Sequence, residues 1–150
     1  MTFRDARRED VPAIVALLAD DVLGAEREGA VDGAYLVAFE QVQADPRSVL
    51  IVAEADGQVA GTLQLNFLPG LSRHGMLRGQ IEGVRVAATH RGQGLGRAMI
   101  EWAIGQAREH GCGLVQLTSD KRRLDALRFY ESLGFTASHE GFKLSVTPLR

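Results

Sequence analysis

The sequence predicts one α/β domain over residues 1–150, a mostly antiparallel central sheet flanked by helices in the order β α α β β β α β α β β. Three observations lead there. A β-branched run and an alternating run lie on either side of Asp56-Gly57, a favoured two-residue hairpin turn. Two later stretches, residues 95–110 and 122–133, carry apolar side chains at helical spacing. Strand-like runs precede and separate them, the pattern of strand–helix–strand crossovers. No internal repeat, low-complexity stretch or Pro- or Ser-rich linker divides the chain, and 150 residues is an ordinary length for one domain.

Phe3 to Ala6 reads as a short first strand. Asp10-Val-Pro12 opens a helix, with proline in its first turn and Ile14, Leu17 and Leu18 at helical spacing. Gly24 to Gly33, rich in glycine and charge, is expected to be a loop. Ala34 to Gln43 forms a second helix that must stop before Asp45-Pro46, because the residue ahead of a proline resists the helical conformation. Ser48 to Ala53 and Val59 to Phe67 are the hairpin strands. Leu63, Leu65 and Phe67 alternate with Thr62, Gln64 and Asn66, so one face is buried and the other polar. After a loop over Leu68 to Gly75, Leu77 to Val86 is a strand interrupted by Gly79 and Gly83. Glycine inside a strand marks a bulge or a close approach of another backbone. Leu95 to His110 is a helix with Leu95, Ala98, Met99, Trp102 and Ala103 on one stripe, ended by Gly111. Gly113 to Thr118 is a strand, and Arg122 to Leu133 a helix with Leu124, Leu127 and Leu133 inward. Phe135 to Val146 reads as two short strands.

Composition narrows the function. A hydrophobic fraction of 45% and a charged fraction of 24% belong to an ordinary globular domain. The single cysteine, Cys112, excludes an internal disulfide and a Cys-based zinc cage, which favours a reducing, cytoplasmic setting with no metal site. No apolar run approaches the roughly 20 residues of a membrane span, and no secretory apolar core opens the chain. The net charge of −2 argues against nucleic acid as a partner. That total hides a split: residues 1–60 hold 12 acids and 5 bases, residues 61–150 hold 7 acids and 12 bases.

Arg91-Gly92-Gln93-Gly94-Leu95-Gly96 sits between a strand and a helix. Backbone N–H groups and the positive end of the helix dipole converge there, which suits phosphate or pyrophosphate. Arg91 and Arg97 add charge-assisted hydrogen bonds. The plain alternative is a turn that only joins strand to helix. A dinucleotide fingerprint would need glycine where Arg97 stands, and a Walker loop would need lysine, present only at 121 and 143.

Val84 to Gly96 closely resembles motif A of the GNAT superfamily of N-acetyltransferases, whose Gln/Arg-x-x-Gly-x-Gly/Ala pattern is met by Arg91, Gly94 and Gly96. Ala126 to Phe135, with its Tyr130…Gly134-Phe135 ending, is similar to motif B. The resemblance implies the family fold and acetyl-coenzyme A as acetyl donor. It implies that Arg91, Gly92, Gln93, Gly94, Leu95, Gly96 and Arg97 hold the pyrophosphate. Val84, Arg85 and Val86 would line the pantetheine arm where the strand bulges at Gly83 and splays from its neighbour. Where many members carry asparagine seven residues before the motif B tyrosine, this chain has Arg123.

With no base beside Cys112 to support an acetyl-cysteine, direct attack by a primary amine in a ternary complex is the expected route. Tyr130 then matches the family's general acid for the leaving thiolate, the alternative being a core aromatic. Glu82 is the candidate base, the alternative being a solvated strand glutamate whose face the strand's glycines obscure. His74, His139 and Asp120 are weaker acceptor-side candidates, and Cys112 lacks a neighbouring base. The stretch from Ala19 to Asp32 holds five acids and one base, which suits a small cationic amine unless those acids are merely solvated. A protein N-terminal or lysine acetyltransferase and a non-catalytic acyl-coenzyme A sensor are the competing readings. A homodimer is a family-level expectation.

Overall fold

The computed structural model describes residues 1–147, the side chain of Val22 excepted. They divide into a first unit, Met1–Leu117, and a second that begins at Thr118.

The first unit contains β1 (Thr2–Asp5), α1 (Val11–Ala19), α2 (Val22–Arg27), α3 (Gly33–Ala44), β2 (Ser48–Ala55), β3 (Gln58–Leu68), the single turn α4 (Ser72–Gly75), β4 (Arg78–Val86), α5 (Leu95–Glu109) and β5 (Leu114–Leu117). The five strands lie side by side in chain order, antiparallel from β1 to β4, with β5 parallel to β4. Parallel neighbours need a crossover connection, and α5 supplies it. Asp56 and Gly57, at φ 51° and 74°, make the left-handed pair that a tight hairpin turn requires.

Strand alternation assigns the two faces of this sheet. Ile51, Leu63, Leu65 and Ile81 share one face and are at most 1% exposed. α5 covers them with Leu95, Met99, Ile100, Ala103 and Ala107. The expected stripe is therefore rotated: Ala98 is exposed, Trp102 is half-buried against the edge of Phe3, and Ile100 and Ala107 take the buried positions. Burial of each large side chain here contributes roughly 1.5–3 kcal/mol. On the opposite face Val52 packs with Ala6, Val11, Ile14, Val15 and Phe39, so α1 and α3 close a second core. The buried Thr62 hydroxyl donates to the Ile51 carbonyl at 2.8 Å, which satisfies it.

α2 corrects the loop expected from Gly24. The Asp21 carboxylate accepts the Gly24 N–H and caps the helix, and a Cβ at position 24 would collide with the Leu18 carbonyl oxygen. Glycine is there to let α2 pack close, not to break a helix.

In the second unit α6 (Ala126–Ser132) is shorter than expected, because Asp120 accepts the Arg122 N–H and side chain and holds the preceding residues in a turn. Leu124 and Leu127 are exposed at 83% and 53%, correcting their inward assignment, whereas Leu133 is half-buried. Gly134, at φ 96°, follows the helix end. The two last strands expected over Phe135 to Val146 are absent among the described residues, so the order ends at α6 and the sheet has five strands. Phe142, Leu144 and Val146 do alternate, but all three are exposed. Alternation specifies a strand only where a partner and a face to cover exist.

Candidate active site

Four features of the first unit converge on β4. Thr62 pairs with Arg85 but Gln64 pairs with Glu82, so β4 carries one more residue than β3 across that interval. The extra residue is a bulge, and Gly83 at φ 62° occupies it. Leu18 would touch a Cβ there only at 3.7 Å, so the backbone angle rather than space requires glycine. Second, the β4–β5 ladder ends at Ile81 and Leu117 while β4 runs on to Val86. Glu82 to Val86 thus have no strand partner on the β5 side among the described residues.

Third, the strand leads through a short turn to Arg91–Gly94. Gly92 and Gly94 have φ of 75° and 81°, and nothing lies within 4 Å of where a Cβ would stand on either. The backbone at these two glycines is therefore open to close approach. Fourth, the 15-residue α5 starts at Leu95 with no acid in its first turn. Its unpaired N–H groups and dipole favour an anion at this end. Leu95 is a core residue by its side chain, 6% exposed, so it brings only its backbone to this surface.

The arginines are already engaged. Arg91 donates Nε to the Val86 carbonyl at 3.2 Å and an Nη to Asp20 Oδ2 at 3.1 Å. Arg85 donates to the Val84 carbonyl at 2.9 Å, and Arg97 pairs with Glu101 at 3.0 Å, one helical turn on. Gln93 donates to the Thr89 carbonyl at 3.3 Å. The carbonyls of Val84 and Val86 thus accept hydrogen bonds from side chains of this chain.

Register settles the face of Glu82. It pairs with Gln64, whose neighbour Thr62 lies opposite Val52 on the α1 side, so the exposed Glu82 carboxylate lies on that face. The loop acids expected to receive a cation are largely committed elsewhere. Asp20 pairs with Arg91, Asp21 and Asp32 cap α2 and α3, and Glu28 accepts the Tyr35 hydroxyl at 2.9 Å.

His74 lies on the exposed α4 turn with Arg73, both left-handed. His90 contacts the Thr89 hydroxyl, and His110 stacks on Phe67 at 4.1 Å. Burial pushes the Cys112 thiol above its ordinary value, which keeps it a weak nucleophile. In the second unit, Tyr130 lies half-buried among Phe129 and Phe135 at 5.1 and 5.9 Å. His139 contacts Ser138 there, and Asp120 binds Arg122.

The model of the acetyltransferase (GNAT) family matches residues 13–135. The chain belongs to this family. A curated GNAT relative, aminoalkylphosphonate N-acetyltransferase of Salmonella typhimurium, is 31% identical over 139 residues, covering 93% of this chain and 87% of its own. Glucosamine 6-phosphate N-acetyltransferase of Trypanosoma brucei brucei is 37% identical over 60% of this chain, which spans 59% of that protein. A solved structure from Bacillus halodurans C-125, described as a transcriptional regulator, is 48% identical, with a TM-score of 0.93 over 96% of this chain and 98% of its own. This GNAT protein is an N-acetyltransferase, and its five-stranded mixed sheet flanked by helices is the fold of its structural neighbours.

Proposed function

We propose that this GNAT domain, formed by both units, moves an acetyl group from acetyl-coenzyme A to the primary amine of a small acceptor, by direct attack in a ternary complex. The family match runs across both units, which supports one domain. The observation that carries the reading is the open edge of a bulged β4 leading into a glycine turn with empty Cβ positions at the start of α5.

Those residues fit the coenzyme. Gly92, Gly94 and Gly96 allow close backbone approach, and the N–H groups from Arg91 to Arg97 hold the pyrophosphate. The edge from Val84 through Arg85 to Val86 takes the pantetheine arm. The coenzyme supplies an activated thioester. A backbone N–H of Val84 or Val86 polarises its carbonyl, a role worth about 3 kcal/mol for one preorganised donor. The amine attacks in its neutral form, its proton passing to Glu82 directly or through a water relay. Tyr130 donates its hydroxyl proton to the departing sulfur. The C–S bond breaks as the N–C bond forms, and the amine proton leaves through Glu82.

The names of the relatives favour a small amine as acceptor, and the acids between Ala19 and Asp32, which keep their charge when they cap a helix, suit a cationic one. The lone half-buried thiol suits the cytoplasm, and no helix among the described residues is long and apolar enough to cross a membrane.

A thiol-release screen of small amines and basic peptides with acetyl-coenzyme A tests the reading. Turnover of small amines supports it, and turnover of peptides alone would move it to a protein acetyltransferase. Tight acetyl-coenzyme A binding without turnover of any amine would move it to a sensor. Tyr130→Phe is expected to lower kcat about 10²- to 10⁴-fold, the range for one general acid, with coenzyme affinity unchanged. Full activity in that variant would remove Tyr130 from the mechanism.

A further inference from the structure

The α1-side face of the sheet continues past Glu82 as an ordered polar strip. Along β4, Glu82, Gln80 and Arg78 are each two residues apart and therefore point to one face. Across the strands at Gln80, Ser48 pairs with Asn66, Asn66 with Gln80, and Gln80 with Gln116. Their side chains are linked: Gln64 donates to Asn66 at 2.9 Å, Asn66 to Ser48 at 2.9 Å, and Gln116 to Gln80 at 2.7 Å. Each amide has two N–H donors and an oxygen with two lone pairs, so these contacts use only part of the row's capacity. The row is half-buried, not solvated.

Arg78 closes the strip. It is half-buried, its cross-strand neighbours are Leu68 and Leu114, and among the described residues it makes no hydrogen bond or ion pair. A guanidinium without a partner on a half-buried strand residue is available to meet an anion. The order along β4 is thus carboxylate, amide row, guanidinium, over roughly 14 Å of backbone for four residues of strand. The long Glu and Arg side chains shorten that gap.

We propose that this strip is the acceptor floor and that it selects a hydroxylated primary amine bearing a terminal oxyanion. The amine lies at Glu82, hydroxyls meet the Asn66, Gln80 and Gln116 amides, and the oxyanion binds Arg78. The proposal rests on Glu82 handling the amine, as the acetyl-transfer reading requires, and it adds the chemistry of the rest of the acceptor.

The test compares glucosamine with glucosamine 6-phosphate, two amines that differ by one oxyanion. Wild-type kcat/KM is expected to be about 10- to 100-fold higher for the phosphorylated amine, the range for a charged hydrogen-bonded contact. Arg78→Gln should bring the two within about twofold by raising KM for the phosphorylated amine while kcat holds. Arg78→Lys should restore part of the preference. Gln80→Leu should raise KM for both amines, whereas loss of fold would also raise KM for acetyl-coenzyme A. A wild-type protein that does not favour the phosphate, or an Arg78→Gln variant with unchanged preference, overturns the proposal. If neither amine is acetylated, calorimetry with glucosamine 6-phosphate decides. Binding weakened by Arg78→Gln upholds the strip while counting against acetyl transfer, and binding that is absent or unchanged overturns the strip.

Discussion

Asp10 is the buried carboxylate of the first unit. It is 6% exposed, accepts both arms of the Arg4 guanidinium at 2.7 and 3.0 Å, and accepts the Arg7 N–H at 2.7 Å. Arg4 also reaches Glu54 at 2.6 Å, tying β1 to β2. The Arg4 hydrogen bonds hold the Asp10 carboxyl below its ordinary value of 3.8, outweighing the opposing effect of burial. A carboxyl whose pKa is depressed by folding contributes stability above its unfolded pKa and loses it as pH falls through the folded value. Asp10→Asn should therefore cost about 2 kcal/mol at pH 7, with the wild-type advantage shrinking below about pH 4. Urea melts at pH 7, 4 and 3 read this directly, and a difference independent of pH would assign the loss to packing instead. None of this was legible beforehand, since a contact between residues 4, 10 and 54 has no local signature. The same limit hid Asp20 as the partner of Arg91, 71 positions away.

Single elements show why local patterns sometimes mislead. Gly24 suggested a loop, yet a capping aspartate and close packing on α1 make it helical. Gly24→Ala should destabilise by about 1–3 kcal/mol through that clash, although alanine is the better helix former. A stabilised variant in thermal melts would refute the packing explanation. The turn joining α1 to α2 also touches the glycine turn, through the exposed Asp20–Arg91 pair. On the proposed coenzyme placement, Asp20 competes with phosphate for the same guanidinium. Asp20→Asn should then tighten coenzyme A binding about two- to fivefold, the scale of an exposed ion pair. Calorimetry showing unchanged or weaker binding would mean that Arg91 is held away from the phosphates. Strand period, hairpin turn, bulge glycine and the helix after the glycine turn were all readable, because each is written in neighbouring residues. α6 was readable as a helix, but its length and face were not, nor was the tail, because those depend on what covers them.

At the scale of the molecule, the first 60 residues are net acidic and the remainder net basic. Of the acids in the first 60 residues only Asp10 is buried, while Asp20 and Glu40 form exposed ion pairs and Asp21 and Asp32 cap helices. The glycine turn and β4 carried the family match because both depend on residues close in sequence. The face of Glu82 required the register of three strands. That register has an evolutionary corollary. Since successive residues of β3 and β4 alternate between the α5 core and the amide-bearing face, substitutions at Asn66, Gln80 or Gln116 leave Leu65 and Ile81 undisturbed. On the proposed acceptor placement, descendants of this scaffold can exchange one acceptor for another by point changes on that face, with the core under α5 inherited intact.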